Sequence, residues 1–287
     1  MTMLPTVRQL ADDLTGALDT AAELVRLTGP IQVFWHGAIP SRLLANAAFD
    51  GGTCELGPVG AAALATGLAR LMYGADIAYK KIDSLLRGPT LAEIAALLRA
   101  GPWKHCVFAP AFPYQSRATQ GGRQYARDAT GGWSDVSSEI IAALRTLAAE
   151  AFAGNLGERL PPGVSVFDAE TDGDLRAVAE TARRAPRRVL LWCRDGGLAR
   201  ALAREAACGD LADSVLPEDA EAACGATLPR PILGLFGSDQ RATAAQLAAC
   251  GVRRFLDQAS VLRQPRCGAA GSWHSTVPRS EVMRWQT

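Results

Sequence analysis

Three stretches of this 287-residue chain gather side chains able to handle a small hydroxylated anion. The first, Ala11-Asp12-Asp13-Leu14-Thr15-Gly16-Ala17, sets two adjacent carboxylates where an apolar run ends and a helical pattern begins. One of them can hold a ligand hydroxyl or accept its proton, while the other caps the helix. The competing reading makes both of them turn and cap residues. The second stretch, Tyr79-Lys80-Lys81-Ile82-Asp83-Ser84-Leu85-Leu86-Arg87-Gly88-Pro89, holds two of only three lysines in a chain with 27 arginines. Alternation along a strand sends Lys80 and Lys81 to opposite faces, so at most one enters a given pocket. Lysine is a compact point charge and arginine a planar fork, and both suit phosphate or carboxylate. Arg87 precedes a helix start, so an anion between Lys81, Arg87 and that helix is favoured twice. Asp83 and Ser84 follow at the strand end; a solvated strand end is the alternative. The third stretch, Ala109 to Arg123, reads as a long loop without period, in which Arg117 and Thr119 can contact a polar ligand.

Two further places carry less. Asp168-Ala169-Glu170-Thr171 reads mainly as helix capping, and Cys193-Arg194-Asp195-Gly196-Gly197-Leu198 reads as a Gly turn between a strand and a helix that can approach a ligand, with a structural turn as the preferred reading.

These residues matter only if strand ends bring them together, because open α/β sheets bind ligands beyond the carboxyl ends of their strands. Short apolar runs alternate with Ala/Leu-rich helical patterns, which predicts an α/β fold with a mainly parallel sheet flanked by helices. The expected strands are Val7–Ala11, Ile31–Trp35, Ile77–Ile82, Cys106–Ala109, Val164–Phe167, Val189–Trp192 and Ile232–Phe236. Arg8 and Gln9 interrupt the first, which suggests a short or edge strand. Expected helices are Ala17–Leu27, Leu91–Arg99, Ser138–Ala153 and Leu198–Ala207, with a capping box of Thr90 and Glu93 opening the second. The Pro-bounded segment around 217–230 reads as a hinge, and 231 onward begins another β-α-β unit.

Composition narrows the function classes. Apolar residues make up 48% of the chain and charged ones 21%, enough for a packed core. A net charge of +1 lacks the footprint of a partner for nucleic acid or anionic lipid. No uncharged apolar stretch is long enough to span a membrane, and the first residues lack a signal-peptide core. The seven cysteines are scattered without ligand spacing, and the three histidines stand far apart. Reduced thiols in a cytoplasm, with no metal site, are the expectation. A nicotinamide-dependent oxidoreductase would need a G-x-G-x-x-G after an early strand, which is lacking.

In order and spacing, ADDLTGALDT at 11–20, KKIDSLLRG at 80–88, APAFPYQSRATQGG at 109–122, FDAETDGDLRA at 167–177 and GSDQRATAAQ at 237–246 resemble the four-carbon acid sugar kinase family. The resemblance implies a sugar-acid-binding N-terminal domain over 1–216, a linker at 217–230 and the beginning of an α/β nucleotide-binding domain over 231–287. It implies transfer of the ATP γ-phosphoryl group, with Mg²⁺, to a hydroxyl of an erythronate-, threonate- or 3-oxo-tetronate-like acid. By the same resemblance Asp12, Asp13, Thr15, Lys81, Asp83, Ser84, Arg87 and Arg117 form the acid pocket. Asp12 orients or deprotonates the attacking hydroxyl, and Gly237 and Ser238 contact the nucleotide. The partners implied are the sugar acid and ATP, with neither nucleic acid nor membrane, and a homodimer left open.

The chain also departs from the family pattern. Cys54 stands where an arginine is usual, Ser116 where glycine is common, and Arg194-Asp195 replace small residues before Gly196-Gly197-Leu198. The family's later Gly-Gly-x-Thr-like phosphate loop does not occur before Thr287. The expectation is therefore impaired phosphorylation, with a catalytically inactive sugar-acid-binding module as the alternative.

Overall fold

Val7, Leu10 and Ala11 are all buried because β1 (Val7–Ala11) pairs in parallel on both of its edges. The first strand is thus interior, which corrects the expectation of an edge. Its two polar residues find partners without leaving the sheet. Arg8 reaches the carbonyls of Leu44 and Tyr73, and the Gln9 amide donates to the carbonyls of Gly16 and Ala17. A buried polar group that is hydrogen-bonded no longer argues against a central strand.

The computed structural model describes residues 4–207 apart from 43, 129, 130 and 138. The linker at 217–230, the second domain, the strand Ile232–Phe236 and the residues Gly237 and Ser238 lie outside the described residues. After β1 come α1 (Leu14–Thr28), β2 (Gln32–Phe34), β3 (Ala47–Asp50), α2 (Pro58–Leu68), β4 (Ile77–Lys81), α3 (Thr90–Ala100) and β5 (His105–Phe108). The chain continues through β6 (Arg117–Gln120), β7 (Arg123–Arg127), β8 (Trp133–Asp135), α4 (Ile140–Thr146), β9 (Ala151–Ala153), β10 (Gly163–Val166), α5 (Asp172–Ala182), β11 (Leu190–Arg194) and α6 (Gly196–Ala207). Eight strands form one parallel sheet in the order β2-β3-β1-β4-β11-β5-β10-β9, while β6, β7 and β8 make a small antiparallel sheet.

Side-chain alternation divides the core into two layers. Val7, Tyr79 and Trp192 pack with Leu24 of α1, Leu175 of α5 and Leu198 of α6 on one face. Leu10, Ala78, Phe108 and Leu191 pack with Ala65 of α2, Ile94 of α3 and Ile140 of α4 on the other. The strands of the first face carry Lys81 and Arg194; those of the second carry Lys80.

Several expectations need correction. The helix at Ser138–Ala153 is instead a short α4, and then strand β9. Ala148 takes φ +56° after the last turn, and Ala149 N–H bonds back to the Leu144 carbonyl, so an alanine makes the left-handed stop usually made by glycine. The unstructured loop at 109–123 is largely the hairpin of β6 and β7. The capping box at Thr90 is also absent: Pro89 is the N-cap without a side-chain bond, and Glu93 turns into the core. A capping box does occur at α5, between Thr171 and Asp174. No helix among the described residues is long and apolar enough to cross a membrane.

Candidate functional site

The chain leaves β1 into α1 on one face and leaves β4 into α3 on the other. Loops that part in this way open a crevice at adjacent strand tips. Three loops meet there. The Asp12 carbonyl accepts from the N–H groups of both Thr53 and Cys54, at 3.0 and 3.2 Å, and the Ala11 carbonyl accepts from Gly51 at 2.9 Å. A side chain on Gly51 would meet that carbonyl at 2.8 Å, so glycine allows this approach.

The two carboxylates after β1 have separate roles. Asp13 caps α1, its Oδ1 accepting from Gly16 N–H at 2.6 Å. Asp12 is buried, and its Oδ1 lies 3.6 Å from Lys81 Nζ. Lys81 fits here because position 16 has no side chain: a Cβ would stand 2.5 Å from Nζ. Lys81 therefore lies against the first turn of α1. Lys80 goes to the opposite face, where its Nζ lies 2.9 Å from Glu93 Oε1 in full burial. Thr53 donates to the same Glu93 oxygen at 2.7 Å, which ties the loop after β3 to that pair.

Asp83 and Arg87 bind each other. The guanidinium donates from Nε at 2.6 Å and from Nη2 at 3.1 Å, and Arg87 N–H adds a third bond. Burial opposes ionisation of Asp83, but the Arg87 bonds and charge outweigh it and hold the carboxyl below its ordinary range. The Arg87 fork is thus half occupied by Asp83, while its remaining edge is exposed and feels the charges of Asp12 and Asp13.

Arg117 enters from the small sheet. It is half-buried, close enough to Asp195 and Asp83 for their charges to act on it, and hydrogen-bonded to Gln115. Its neighbour Ser116 has φ +56°, so the position where glycine is common does take the left-handed conformation. Gln124 fixes the sheet against the site. Its amide donates to the carbonyls of Ser84 and Pro110, and its oxygen accepts from Thr119 at 2.7 Å. Asp168 holds the hairpin turn through Gly121 and Gly122 N–H.

Asp12, Lys81, Asp83, Arg87 and Arg117 therefore share one electrostatic neighbourhood. Asp13 joins it as a cap, and Ser84 through its main chain. Thr15 is exposed on the first turn of α1, two residues beyond the cap Asp13. Thr119 bonds Gln124 and serves the wall of the site. The sequence reading, which preferred a structural turn for Arg194 and Asp195, did not foresee their burial. Both are fully buried at the tip of β11, Arg194 pairing in register with Lys81. Arg194 Nε lies 3.3 Å from Asp195 Oδ1, and its Nη2 donates to the Ala111 carbonyl. Burial lowers the Arg194 pKa. Burial also drives the Asp195 carboxyl up to about 6, against the pull of Arg194, Gly197 N–H, Lys81 and Arg117. The departure from small residues at 194–195 was the available signal.

Among the described residues no three His, Cys, Asp or Glu side chains come together as a metal site. What the arrangement can do is hold a small anion at Lys81, Arg87 and Arg117 while buried carboxylates take its hydroxyls.

A parallel α/β sheet with cations and carboxylates mixed at its switch point is an arrangement that can receive a small anion. Residues 8–148 match the family described as the sugar-binding N-terminal domain. The chain is 31% identical over 303 residues to the D-threonate kinase of Bordetella bronchiseptica, spanning 96% of this chain and 70% of that protein. It is 31% identical over 294 residues to the D-threonate kinase of Cupriavidus necator, spanning 93% and 68%. A solved Bordetella bronchiseptica protein with bound citrate, a domain-swapped dimer, is similar at 30% identity and a TM-score of 0.57. That match covers 72% of this chain and 58% of the solved one, less than two thirds of its length. The chain belongs to the four-carbon acid sugar kinase family.

Proposed function

We propose that the crevice binds a threonate- or erythronate-like acid and that the protein phosphorylates one of its hydroxyls with ATP and Mg²⁺. In this reading Lys81, Arg87 and Arg117 neutralise the ligand carboxylate and any charge that develops during transfer. Asp12 orients the attacking hydroxyl, and Asp13, Asp83 and Ser84 shape the pocket. The observation that carries the reading is the Asp12–Lys81 pair at 3.6 Å, a buried acceptor beside a cation at the switch point. Phosphoryl transfer needs chiefly positioning and charge stabilisation, which such a set supplies. The nucleotide supplies the phosphoryl group; its contacts, Gly237 and Ser238, lie outside the described residues, within the proposed second domain 231–287 after the linker 217–230. The names of the two D-threonate kinases support the substrate class, and the domain-swapped relative supports a homodimer. Cytoplasmic location is part of the same proposal.

Thermal shifts with D-threonate, L-threonate and D-erythronate, with and without MgATP, test it together with ADP release. An acid at 100 times its dissociation constant stabilises by about 2.7 kcal/mol. Stabilisation by one acid with ADP release is the expected result. Acid binding without turnover selects an inactive binding module, and no shift with any of the acids overturns the reading.

A further inference from the structure

Thr53 joins two parts of the crevice that lie far apart along the chain. Its N–H donates to the Asp12 carbonyl at 3.0 Å, and its hydroxyl donates at 2.7 Å to Oε1 of Glu93, in the first turn of α3. Thr53 and Glu93 are both buried. Lys80 Nζ lies 2.9 Å from the same Glu93 oxygen, so the acceptor of the Thr53 hydroxyl is itself held by a charge. A buried ion pair of this kind seldom repays its own desolvation in stability, and its use is better sought in what it fixes. Here it fixes the segment after β3. Cys54 N–H also donates to the Asp12 carbonyl, at 3.2 Å, and the Cys54 carbonyl lies 2.8 Å from where a Cβ on Gly88 would stand. The segment thus touches both the Asp12 turn and the residue that follows Arg87, and the Thr53 hydroxyl anchors it to α3.

We propose that Thr53 is a positioning residue for acid binding: tied to Glu93, it fixes the Asp12 main chain and with it the setting of the Asp12 carboxylate against Lys81. The inference rests on the binding reading above and adds to it a group that need not touch the ligand. The chain leaves β1 on one face of the sheet, while Glu93 meets Lys80 on the other. The Thr53 hydroxyl therefore carries the order of the α3 layer to the tip of β1. Without that hydroxyl the Glu93–Lys80 pair persists and the fold loses one hydrogen bond. Asp12, however, loses the anchor behind the segment that holds its carbonyl. Hydrogen bonds to a ligand weaken steeply with angle, so a small displacement of Asp12 is felt in binding.

Thr53→Val exchanges the hydroxyl for a methyl, and Thr53→Ser keeps the hydroxyl without the methyl. Calorimetric titration of the full chain with D-threonate, L-threonate and D-erythronate, well below the melting temperature, compares both with the unmodified protein. For an acid that the unmodified protein binds, Thr53→Val loses about 10-fold in affinity, while Thr53→Ser stays within about 2-fold. Equal affinity of Thr53→Val and the unmodified protein overturns the proposal, because a purely structural threonine lowers the melting temperature and leaves binding by the folded chain unchanged. Thr53→Ser binding as weakly as Thr53→Val overturns it too, since the hydroxyl is then not what matters. If Thr53→Val does not fold, hydrogen exchange of the unmodified protein decides. The Thr53 and Cys54 amides are then protected before any acid is added, and rapid exchange of either overturns the proposal. Failure of the unmodified protein to bind any of the three acids overturns the binding reading itself, and the part of Thr53 in it.

Discussion

Lys81 occupies the space that a side chain at Gly16 would need: its Nζ is 2.5 Å from where a Cβ would stand. A glycine in the first turn of a helix here serves a neighbouring strand and not its own backbone. Gly16→Ala therefore separates stability from binding. Alanine is the better helix former by about 1 kcal/mol, which offsets the push of its Cβ on the α1 cap, 2.8 Å from Asp13 Oδ1, so the melting temperature changes little. Displacing Lys81 weakens D-threonate binding by about 10-fold or more. Calorimetry beside thermal melting checks the split, and unchanged affinity would refute it.

The adjacent lysines differ in what they support. Lys80→Met strands Glu93 in the core and costs about 3–5 kcal/mol, the usual result of breaking a buried pair from one side. Lys81→Met leaves most of the stability in place and loses acid binding. Urea unfolding of both variants, with threonate titrations, would show the contrast.

Cys54 lies in the loop held to the Asp12 carbonyl, and its thiol is exposed. Burial of part of the group, then Asp13, Asp12 and Glu55, raise its pKa, which marks the surroundings as electronegative. Cys54→Arg adds a fork there and is expected to tighten acid binding by about 10-fold. Equal affinity would mean that position 54 does not reach the ligand carboxylate.

Asp195 binds its proton more tightly folded, near pH 6, than an unfolded aspartate does near pH 3.9. Stability linked to this group is thus largest at low pH and declines as pH rises from about 4 to about 6. Between pH 7.5 and 5 the native protein gains about 1 kcal/mol relative to Asp195→Asn. Urea midpoints for both proteins at the two pH values measure it, and a gain of opposite sign excludes the assignment.

Ser116 holds a left-handed backbone that glycine adopts without strain. Ser116→Gly should stabilise by about 1 kcal/mol while leaving Arg117 in place. A loss of stability would show that the serine is needed.

The interior strands were legible because β4, β5, β10 and β11 are apolar runs that a parallel sheet buries on both faces. β3 was not, since Ala47, Ala48 and Phe49 form too short a run to stand out. Lys80 and Lys81 could be assigned to opposite faces from alternation alone, yet which partner each meets depends on helices distant in sequence. The same holds for Glu93, whose place in a capping pattern concealed its burial against Lys80. Arg194 and Asp195 looked like an ordinary turn because no local rule reveals that a turn is sealed beneath Ala111 and Phe112.

The double grip of Gln124 on Ser84 and Pro110, with Asp168 fastening the hairpin turn, makes the small sheet a rigid flank and denies it the freedom of a flap. Efforts to broaden or redirect ligand scope by randomised libraries would accordingly gain more from the segment after β3, where Cys54 is already open to solvent, than from the hairpin.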